Sequence, residues 1–236
     1  MKLITLPENQ QRRLSFYLAM EEYVARHCDS HDHFFIWQVR PTVIFGRNQS
    51  LHSEVNVDYC RQHHIEIYRR RSGGGCVYAD EQNIMLSLIT SDESVALAFN
   101  KLMSMMVLML RKQGVEAVAT AHNDVLIGGR KVSGTACYRL PQRNVVHATL
   151  LYDTNMEHML NAITPGPDKL EQKGIKSVRQ RITLLKEHIT LSIKELKDFI
   201  TQTLCTGEEP LTTADVAAIE QLEQQYMKEE FINLLT

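Results

Sequence analysis

A run of arginines that leads into a run of glycines is the stretch best suited to bind an anion. Arg69–Arg71 are followed by Ser72 and then by Gly73–Gly75. A glycine backbone can approach a ligand closely and turn several N–H groups toward one anion, and arginine supplies forked donors that fit phosphate oxygens. The GxxxxGK[ST] pattern of a P-loop is absent from the sequence. Phosphate binding and a plain basic surface turn, which needs only one glycine, both remain open at this point.

A lysine just after a predicted tight turn is the second candidate for chemistry. Gly128 and Gly129 separate two strand-like runs and can take the positive φ values that a two-residue hairpin turn requires. Lys131 follows this turn, with the small residues Ser133 and Gly134 nearby. Its ammonium group could lie beside a carbonyl or phosphate oxygen. Taken alone, however, the pattern favours an exposed hairpin lysine without a chemical role.

Two further side chains could line a ligand cavity. His147 lies in an otherwise apolar strand, and Trp37, the only tryptophan, lies within another strand. A histidine within a strand is more often a hydrogen-bonded structural residue, and a tryptophan there is most simply a core residue. Neither residue indicates a function without further context.

Composition excludes several classes of protein. The chain has 236 residues, of which 44% are hydrophobic and 23% are charged, so it can bury a core without a metal or disulfides. The formal net charge of -2 provides no overall basic field for nucleic acid or an anionic membrane. Because the N-terminus is too polar for a signal peptide and no apolar run could span a membrane, we expect a cytoplasmic location. The five cysteines should be free thiols, and the histidines lack the spacing of a structural metal site.

Periodicity and turn residues predict one domain of interleaved strands and helices. Helices are predicted over residues 12–27, after Asn56, over 93–113, from Ser192 to about Leu204, and from Thr212 or Thr213 through Tyr226. The helix over 93–113 is mostly apolar, so we expect it to be well buried, with Gly114 at its C-terminal cap. Strands are predicted over residues 33–39, 42–46, 65–70, 76–79, 83–90, 115–119, the two arms of the 124–134 hairpin, and 145–151. Because several strands are joined by short turns, we expect an α+β fold with a mixed, largely antiparallel sheet flanked by helices.

Six stretches, taken in chain order, resemble the lipoate–protein ligase A family. They are FYLAMEE (16–22), FIWQVRPTVIFGRNQ (35–49), RRRSGGGCVYAD (69–80), NDVLIGGRKVSGTACYR (123–139), HATLLYD (147–153) and KGIKSVRQRITLL (173–185). Together they span nearly all of residues 14–190. Six motifs in the family's order are far more specific than any one of them.

The resemblance implies a fold and a reaction. The fold is that of the biotin- and lipoate-ligase catalytic domain, which is related to class II aminoacyl-tRNA synthetases. The reaction would use ATP and Mg²⁺ to convert lipoate to lipoyl-AMP. The lipoyl group would then pass to a lysine on a lipoyl domain of a 2-oxoacid dehydrogenase E2 subunit or on a glycine-cleavage H protein.

The resemblance also assigns roles to individual residues. Lys131 matches the family's essential lysine and is expected to hold the carboxylate or acyl-phosphate oxygen. Asn123 and Asp124 match residues near the nucleotide, and Asp124 is expected to lie near the Mg²⁺ ion. The loop that holds the phosphates and the activated acyl group is expected to contain Arg70, Ser72, Gly73, Gly74, Gly75 and Val77. The other binding residues are expected to be Trp37, Asn83, Arg139, His147 and, near the mouth of the pocket, Glu21.

The sequence departs from the family pattern at several points. Ala79 replaces the histidine that usually precedes Asp80, and Ala121–His122 replace the usual Gly-Arg. An inserted residue near Cys137 makes the alignment of Arg139 depend on where the insertion falls. Many members carry an accessory domain after the catalytic one. We therefore expect residues 1–236 to form the catalytic domain alone, with a helical portion over 190–236, acting alone or with a separately encoded accessory subunit.

Two rival functions remain open. An ATP-independent octanoyl or lipoyl transferase would need a nucleophile such as cysteine to hold a thioester, and Cys76 and Cys137 lie close to the motifs. The arginine and glycine run favours the ligase over this transferase. A non-catalytic lipoate-binding protein is the second rival, and the intact GRKVSG motif around Lys131 argues against it.

Overall fold

The computed structural model describes residues 1–8, 10–91, 94–163 and 181–233, and we number their elements in chain order. The strands are β1 (Lys2–Thr5), β2 (His33–Trp37), β3 (Thr42–Phe45), β4 (Glu66–Arg69), β5 (Val77–Ala79), β6 (Asn83–Thr90), β7 (Ala117–Ala119), β8 (Asp124–Ile127), β9 (Arg130–Leu140), β10 (Arg143–Leu151) and β11 (Gly207–Pro210). The α-helices are α1 (Leu14–His27), α2 (Leu51–Glu54), α3 (Val57–Gln62), α4 (Val95–Lys112), α5 (Met156–Ala162), α6 (Ile193–Leu204), α7 (Thr213–Tyr226) and α8 (Glu229–Ile232). A 3₁₀ turn spans Leu185–Glu187.

The strands form one large sheet and one small sheet. The large sheet has eight strands in the order β11-β1-β2-β6-β10-β9-β8-β7, and the small one has three in the order β4-β3-β5. From β2 to β7 every neighbouring pair in the large sheet is antiparallel, whereas β1 runs parallel to both β2 and β11. The predicted mixed, largely antiparallel sheet is therefore confirmed.

Helices cover both faces of the large sheet. On one face, α1 and α7 enclose a core that includes Phe16, Met20 and Ile219. On the other face, α4 and α6 enclose a core that includes Leu102 and Leu196. Because both faces are covered, the central strands β6 and β10 are buried along their whole length. This explains why their sequences read as nearly continuous apolar runs rather than alternating ones.

The helix α4 is less buried than its composition suggested. The side chains of Leu97 and Leu108 are 58% and 53% exposed, because the helix lays only one face on the sheet. Its predicted end is confirmed: Gly114 has a φ of +75° and donates its N–H to the carbonyl of Arg111 at 2.9 Å. Among the described residues, no helix is both long and apolar enough to cross a membrane.

The segment after residue 190 is not purely helical. Its strand β11 pairs in parallel register with β1, so that Lys2 lies opposite Gly207 and Thr5 opposite Pro210. Neither strand was predicted from the sequence. The four residues Gly207–Pro210 of β11 lack an alternating apolar pattern. A pairing between strands so far apart in the chain has no local sequence signal.

Capping side chains fix where the last two long helices begin. Ser192 caps α6 and receives the N–H of Glu195 at 3.3 Å, while the carboxylate of Glu195 accepts the N–H of Ser192 at 2.8 Å. Thr212 and Asp215 form the same reciprocal box at the start of α7. Both boxes satisfy N–H groups that the first turn of a helix leaves without a partner. The predicted caps are confirmed, with Thr212 rather than Thr213 as the capping residue.

We predict that Ser192→Ala lowers the free energy of unfolding by about 1 kcal/mol, the usual cost of losing a side-chain cap. Ser50→Ala is the matched control, because Ser50 precedes α2 without making a side-chain capping bond. Urea denaturation of both variants measures the difference. Equal stability of the two variants would show that the box at α6 contributes nothing.

Candidate active site

A cavity of about 510 Å³ is lined by residues from both sheets. Its apolar part is formed by Leu18, Trp37, Ile44, Val77 and Met85. Its polar part is formed by Arg70, Gly74, Gly75, Asn123, Asp124, Lys131 and His147, with His122, Thr135 and Thr149 beside them. Most of the residues that the sequence singled out therefore meet at one place. A site that is apolar on one side and charged on the other suits a molecule with an apolar chain and an anionic end.

The amine of Lys131 is held inside this cavity. Its Nζ lies 2.7 Å from Oδ1 of Asp124, and its side chain is 36% exposed. The hairpin that carries it has the predicted turn, with φ of +56° at Gly128 and +76° at Gly129. A register shift then occurs where β9 crosses Val125 and Leu126 of β8. In a regular strand, residues three apart point to opposite faces, so this bulge brings Lys131 onto the face of its third neighbour, Gly134.

The missing side chain of Gly134 makes room for that amine. A Cβ atom at this position would lie 2.7 Å from Nζ and 2.9 Å from Cε of Lys131. It would also lie 3.7 Å from Oδ1 of Asp124. The sequence marked Gly134 only as a small neighbour, whereas the structure makes it the surface on which the lysine rests.

The loop Ser72–Gly75, called the glycine loop below, owes its shape to a close contact with the segment after β3. A Cβ atom on Gly46 would lie only 2.3 Å from the carbonyl oxygen of Gly74, so glycine is required at position 46. Gly74 itself has a φ of +91°. By contrast, a Cβ atom on Gly73 or Gly75 would meet nothing within 4 Å. These two glycines face open space, which a ligand could use, while Gly46 was missed because a single glycine after a strand looks like an ordinary turn.

The guanidinium of Arg70 holds this loop in place through hydrogen bonds. Arg70 is buried, and it donates to the carbonyl oxygens of Ile44 at 3.0 Å, Gly73 at 2.7 Å and Gly75 at 2.7 Å, and to Oγ of Ser72 at 2.9 Å. Burial lowers the pKa of Arg70 to about 10, which leaves it charged near neutral pH. Because most of its donors are used on the loop, its main effect in this conformation is to fix the loop.

A chain of buried hydrogen bonds runs from the glycine loop to the apolar wall. Ser72 Oγ lies 2.7 Å from His147 Nε2, and His147 Nδ1 lies 3.0 Å from Glu21 Oε1. Ser87 Oγ donates to the same carboxylate oxygen at 2.6 Å, and Trp37 Nε1 donates to Ser87 Oγ at 2.8 Å. This chain fixes the rings of His147 and Trp37 against the cavity. The expectation that Glu21 lies at the pocket mouth is wrong, since it is fully buried and holds His147 from behind.

Besides Glu21, four predicted binding residues are not among those that line the cavity: Ser72 and Gly73 in the loop, Asn83 and Arg139. Arg139 is exposed, because the neighbouring side chain of Tyr138 takes the inward face of β9 and packs 6.3 Å from the His147 ring. Asn83 is buried at the start of β6, where Nδ2 donates to the carbonyl of Tyr78 at 3.1 Å and Oδ1 accepts from Thr154. The assignments of Arg139 and Asn83 came from the resemblance, and strand alternation and local bonding place these side chains elsewhere.

The cavity also contains residues that the sequence did not mark. Leu18, Ile44 and Met85 form part of its floor. Their apolar types and strand or helix spacing are those of ordinary core residues, so no sequence signal distinguishes them. The motif at 173–185 lies outside the described residues up to position 180. Its described end contacts the site, since Thr183 donates its N–H to the carbonyl of Lys131 at 2.9 Å.

The two cysteines considered as nucleophiles differ in position. Cys76 lines the cavity. Cys137 packs with the core under α4, and burial raises its pKa to about 12. The thiolate is the reactive form, so Cys137 stays protonated and unreactive near neutral pH.

Among the described residues, one group outside the cavity offers a set of metal ligands: Cys28, His33 and Glu209, whose ligand atoms lie within 4.8 Å of one another. The ammonium of Lys2 already lies 3.0 Å from Oε2 of Glu209. Arg143 lies 3.2 Å from His33 Nδ1, which makes that nitrogen an acceptor and leaves the hydrogen on Nε2, the atom facing Glu209. Burial also raises the pKa of Cys28 to about 11. A neutral thiol, a protonated ring nitrogen and a paired carboxylate do not favour a metal.

Comparison with known proteins assigns the family. The model of the lipoyl protein ligase A/B catalytic domain matches residues 14–205, so the chain belongs to this family. Lipoate–protein ligase 1 of Staphylococcus aureus is 37% identical over 213 residues, which cover 87% of this chain and 65% of that protein. The lipoate-protein ligase LplJ of Bacillus subtilis is 37% identical over 174 residues, covering 73% of this chain and 53% of that protein. The chain thus spans less than two thirds of the length of either relative.

Two solved structures have the same fold. A bi-partite lipoate protein ligase from Thermoplasma acidophilum, studied with its E2 lipoyl domain, superposes with a TM-score of 0.85 at 24% identity and covers 100% of this chain and 97% of that chain. A lipoate-protein ligase A bound with ATP superposes with a TM-score of 0.81 at 22% identity, covering 99% of each chain. The predicted lipoate-ligase fold is confirmed.

We predict that Gly134→Ala moves the lysine amine without unfolding the protein. The new methyl group would collide with the flexible end of Lys131, which can swing aside, so the free energy of unfolding should change by less than about 1 kcal/mol. The distance from Nζ to Oδ1 of Asp124 should lengthen beyond hydrogen-bonding reach in a crystal structure of the variant. Gly73→Ala, which has open space around it, should leave that distance unchanged. A pair that stays intact in Gly134→Ala would refute the role assigned to Gly134.

Proposed function

We propose that this chain is a lipoate–protein ligase that joins lipoate to AMP at the expense of ATP and then transfers the lipoyl group to a protein lysine. The observation that carries the proposal is that the amine of Lys131 and the glycine loop line one cavity with an apolar floor. An acyl chain and a phosphate group could meet only where these two parts join. The names of the curated relatives support the same reaction.

The acyl chain would lie on the apolar side of the cavity. Leu18, Ile44 and Met85 contribute aliphatic surface, and the indole of Trp37 presents a carbon edge because its N–H is bound to Ser87. Burial of a hydrocarbon chain there is favourable by about 25 cal/mol for each Å² removed from water. The carboxylate of the chain would then point toward Lys131.

The nucleotide would lie on the polar side of the cavity. The open space at Gly75, which lines the cavity, leaves room for phosphate oxygens close to the backbone. The carboxylate of Asp124 fits Mg²⁺, which binds through one or two carboxylates and substrate phosphates and would neutralise their charge. A lipoate-protein ligase A with this fold was solved bound with ATP, which supports ATP as a ligand of the proposed enzyme.

In the proposed reaction, Lys131 stabilises the negative charge that develops between the reacting groups. A lipoate carboxylate oxygen attacks the α-phosphorus of ATP, the bond to pyrophosphate breaks, and lipoyl-AMP forms. The acceptor lysine amine then attacks the acyl carbon, AMP leaves, and the amine loses a proton. The ammonium of Lys131 can stay near the same acyl–phosphate oxygens in both steps, which is where a fixed positive charge lowers the barrier most.

We propose a lipoyl domain as the acceptor, with the H protein as a second candidate. The Thermoplasma acidophilum ligase was studied with its E2 lipoyl domain, and that ligase is bi-partite. A separately encoded accessory subunit is therefore also part of the proposal. Incubation of this chain with an apo lipoyl domain, lipoate and ATP should add the mass of one lipoyl group to the acceptor.

We predict that Lys131→Ala lowers both ATP–pyrophosphate exchange and lipoyl transfer by about 10²–10³-fold, the usual effect of losing one group that stabilises developing charge. Lys186→Ala is the matched control, because Lys186 makes a similar ion pair with Asp153 at 2.6 Å but does not line the cavity. Unfolding measurements should show both variants folded. Wild-type exchange by Lys131→Ala would sink the assignment of this lysine.

The rival that deserves a test is the ATP-independent transferase, because Cys76 lines the cavity. We predict that a Cys76→Ala, Cys137→Ala double variant keeps most of the ATP-dependent transfer, since the ligase reaction needs no thioester. The measurement is the mass shift of an apo acceptor, with free lipoate and ATP compared against an acylated carrier protein as donor. Loss of transfer in the double variant, together with a wild-type protein that uses only the carrier, would establish the transferase instead. A protein that binds lipoate but never turns over would indicate the non-catalytic alternative.

A further inference from the structure

The buried guanidinium of Arg69 joins the C-terminal end of the described chain to the segment beneath the glycine loop. Its Nε donates to the carbonyl oxygen of Ile232 in α8 at 3.0 Å. Its Nη1 donates to the carbonyl oxygens of Arg47 at 2.6 Å and Gln49 at 2.9 Å, with that of Gly46 at 3.3 Å. One side chain that is 1% exposed therefore ties residues 46–49 to α8.

A second arginine makes a parallel connection. Arg71 Nε lies 2.9 Å from the hydroxyl of Tyr226, at the end of α7, and 2.9 Å from Oε2 of Glu22. The Tyr226 hydroxyl donates to the same carboxylate oxygen at 2.8 Å. The Arg71 guanidinium also lies 5.6 Å from the ring of Phe231 in α8, and that ring packs edge-on against Tyr226 with centroids 5.2 Å apart.

Both connections end at the glycine loop. The segment tied by Arg69 contacts the loop twice, because the Gly46 backbone approaches the Gly74 carbonyl closely and the Arg47 N–H donates to the Ser72 carbonyl at 2.9 Å. Arg71 directly precedes Ser72 in the chain. Arg70 therefore bonds to the loop itself. Arg69 and Arg71 connect the loop to the C-terminal helices.

We propose that the C-terminal helices α7 and α8 hold the glycine loop in its binding shape, with Arg69 and Arg71 as the positioning residues. The consequence for nucleotide binding rests on the proposed function, whereas the coupling itself does not. The helix α8 is a single turn of four residues with none of them buried, so it is the weakest part of this connection. By reciprocity, a partner that docks on α8 would change the affinity of the loop for its ligand, and the ligand would change the affinity for the partner.

The test compares two apolar truncations at the C-terminal end. Phe231→Ala loosens α8 by removing the ring that packs on Tyr226 and Arg71, while the hydrogen-bonding groups of Arg69 and Arg71 and the cavity residues stay in place. Leu222→Ala removes another partly buried side chain, on α7, from the same core. Hydrogen exchange followed by mass spectrometry reports the backbone N–H groups of residues 46–49 and 72–76. We expect exchange there to be at least about five-fold faster in Phe231→Ala than in wild type, the lower end of usual couplings, and near wild type in Leu222→Ala.

A second variant keeps the proposal open to refutation if Phe231→Ala does not fold. Tyr226→Phe removes only the hydroxyl that contacts Arg71 and Glu22, and it should speed exchange at residues 72–76 in the same direction. Equal loop exchange in Phe231→Ala, Tyr226→Phe and Leu222→Ala would overturn the proposal.

The kinetic readout separates this proposal from the proposed function. In ATP–pyrophosphate exchange, the loosened variants should raise KM for ATP by about five-fold or more while kcat changes less, since a loop that must first be ordered binds the nucleotide more weakly. The variants could show faster hydrogen exchange in the loop while the wild-type protein catalyses no ATP–pyrophosphate exchange. That result would support the coupling and refute the ligase function. An unchanged KM with faster loop exchange would refute the effect on the nucleotide site.

Discussion

The arrangement on which the site depends is a lysine amine resting where a β-carbon would otherwise be. The amine of Lys131 occupies the space above Gly134 and pairs with Asp124, and all three residues lie in one hairpin. The bulge in β9 puts Lys131 and Gly134 on one face. The turn at Gly128–Gly129 sets the register of the two strands in which the bulge lies. The hairpin in turn is held by β10, which is buried on both faces. A strand that is buried along its whole length therefore sets the position of the lysine amine.

Burial of polar groups around the cavity favours precision over stability. The chain from Ser72 through His147 to Glu21 removes a carboxylate and an imidazole from water, and Arg70 is removed with them. Desolvating such groups costs free energy that their hydrogen bonds largely offset, so the net gain in stability is small. What they gain is a single arrangement, because each donor and acceptor is satisfied in only one geometry. A cavity wall built this way is preorganised by its own hydrogen bonds.

Local signals in the sequence predicted the local features well. The Gly128–Gly129 hairpin, the cap of Ser192 and the apolar central strands each have a pattern within a few residues, and each is confirmed. Features that depend on distant pairing were not predictable. The strand pair β1 and β11 and the contact of Gly46 with Gly74 arise only when separate segments meet. Arg139 and Asn83 show a further limit, because a match between motifs fixes a position in the chain but not the direction in which a side chain points.

The pairing of Lys131 with Asp124 has a chemical consequence for ligand binding. An unpaired ammonium beside an apolar floor would be poorly solvated, and an unpaired carboxylate near the glycine loop would repel phosphates. Their mutual contact of 2.7 Å removes both problems. A ligand that brings an anionic group for the lysine and a cation for the aspartate can replace this pair without leaving a charge uncompensated. The partly exposed position of both side chains keeps the pair weak enough to exchange, since such contacts contribute about 1 kcal/mol or less. The proposed ligands, a nucleotide with its metal ion and an acyl carboxylate, would bring both charges together.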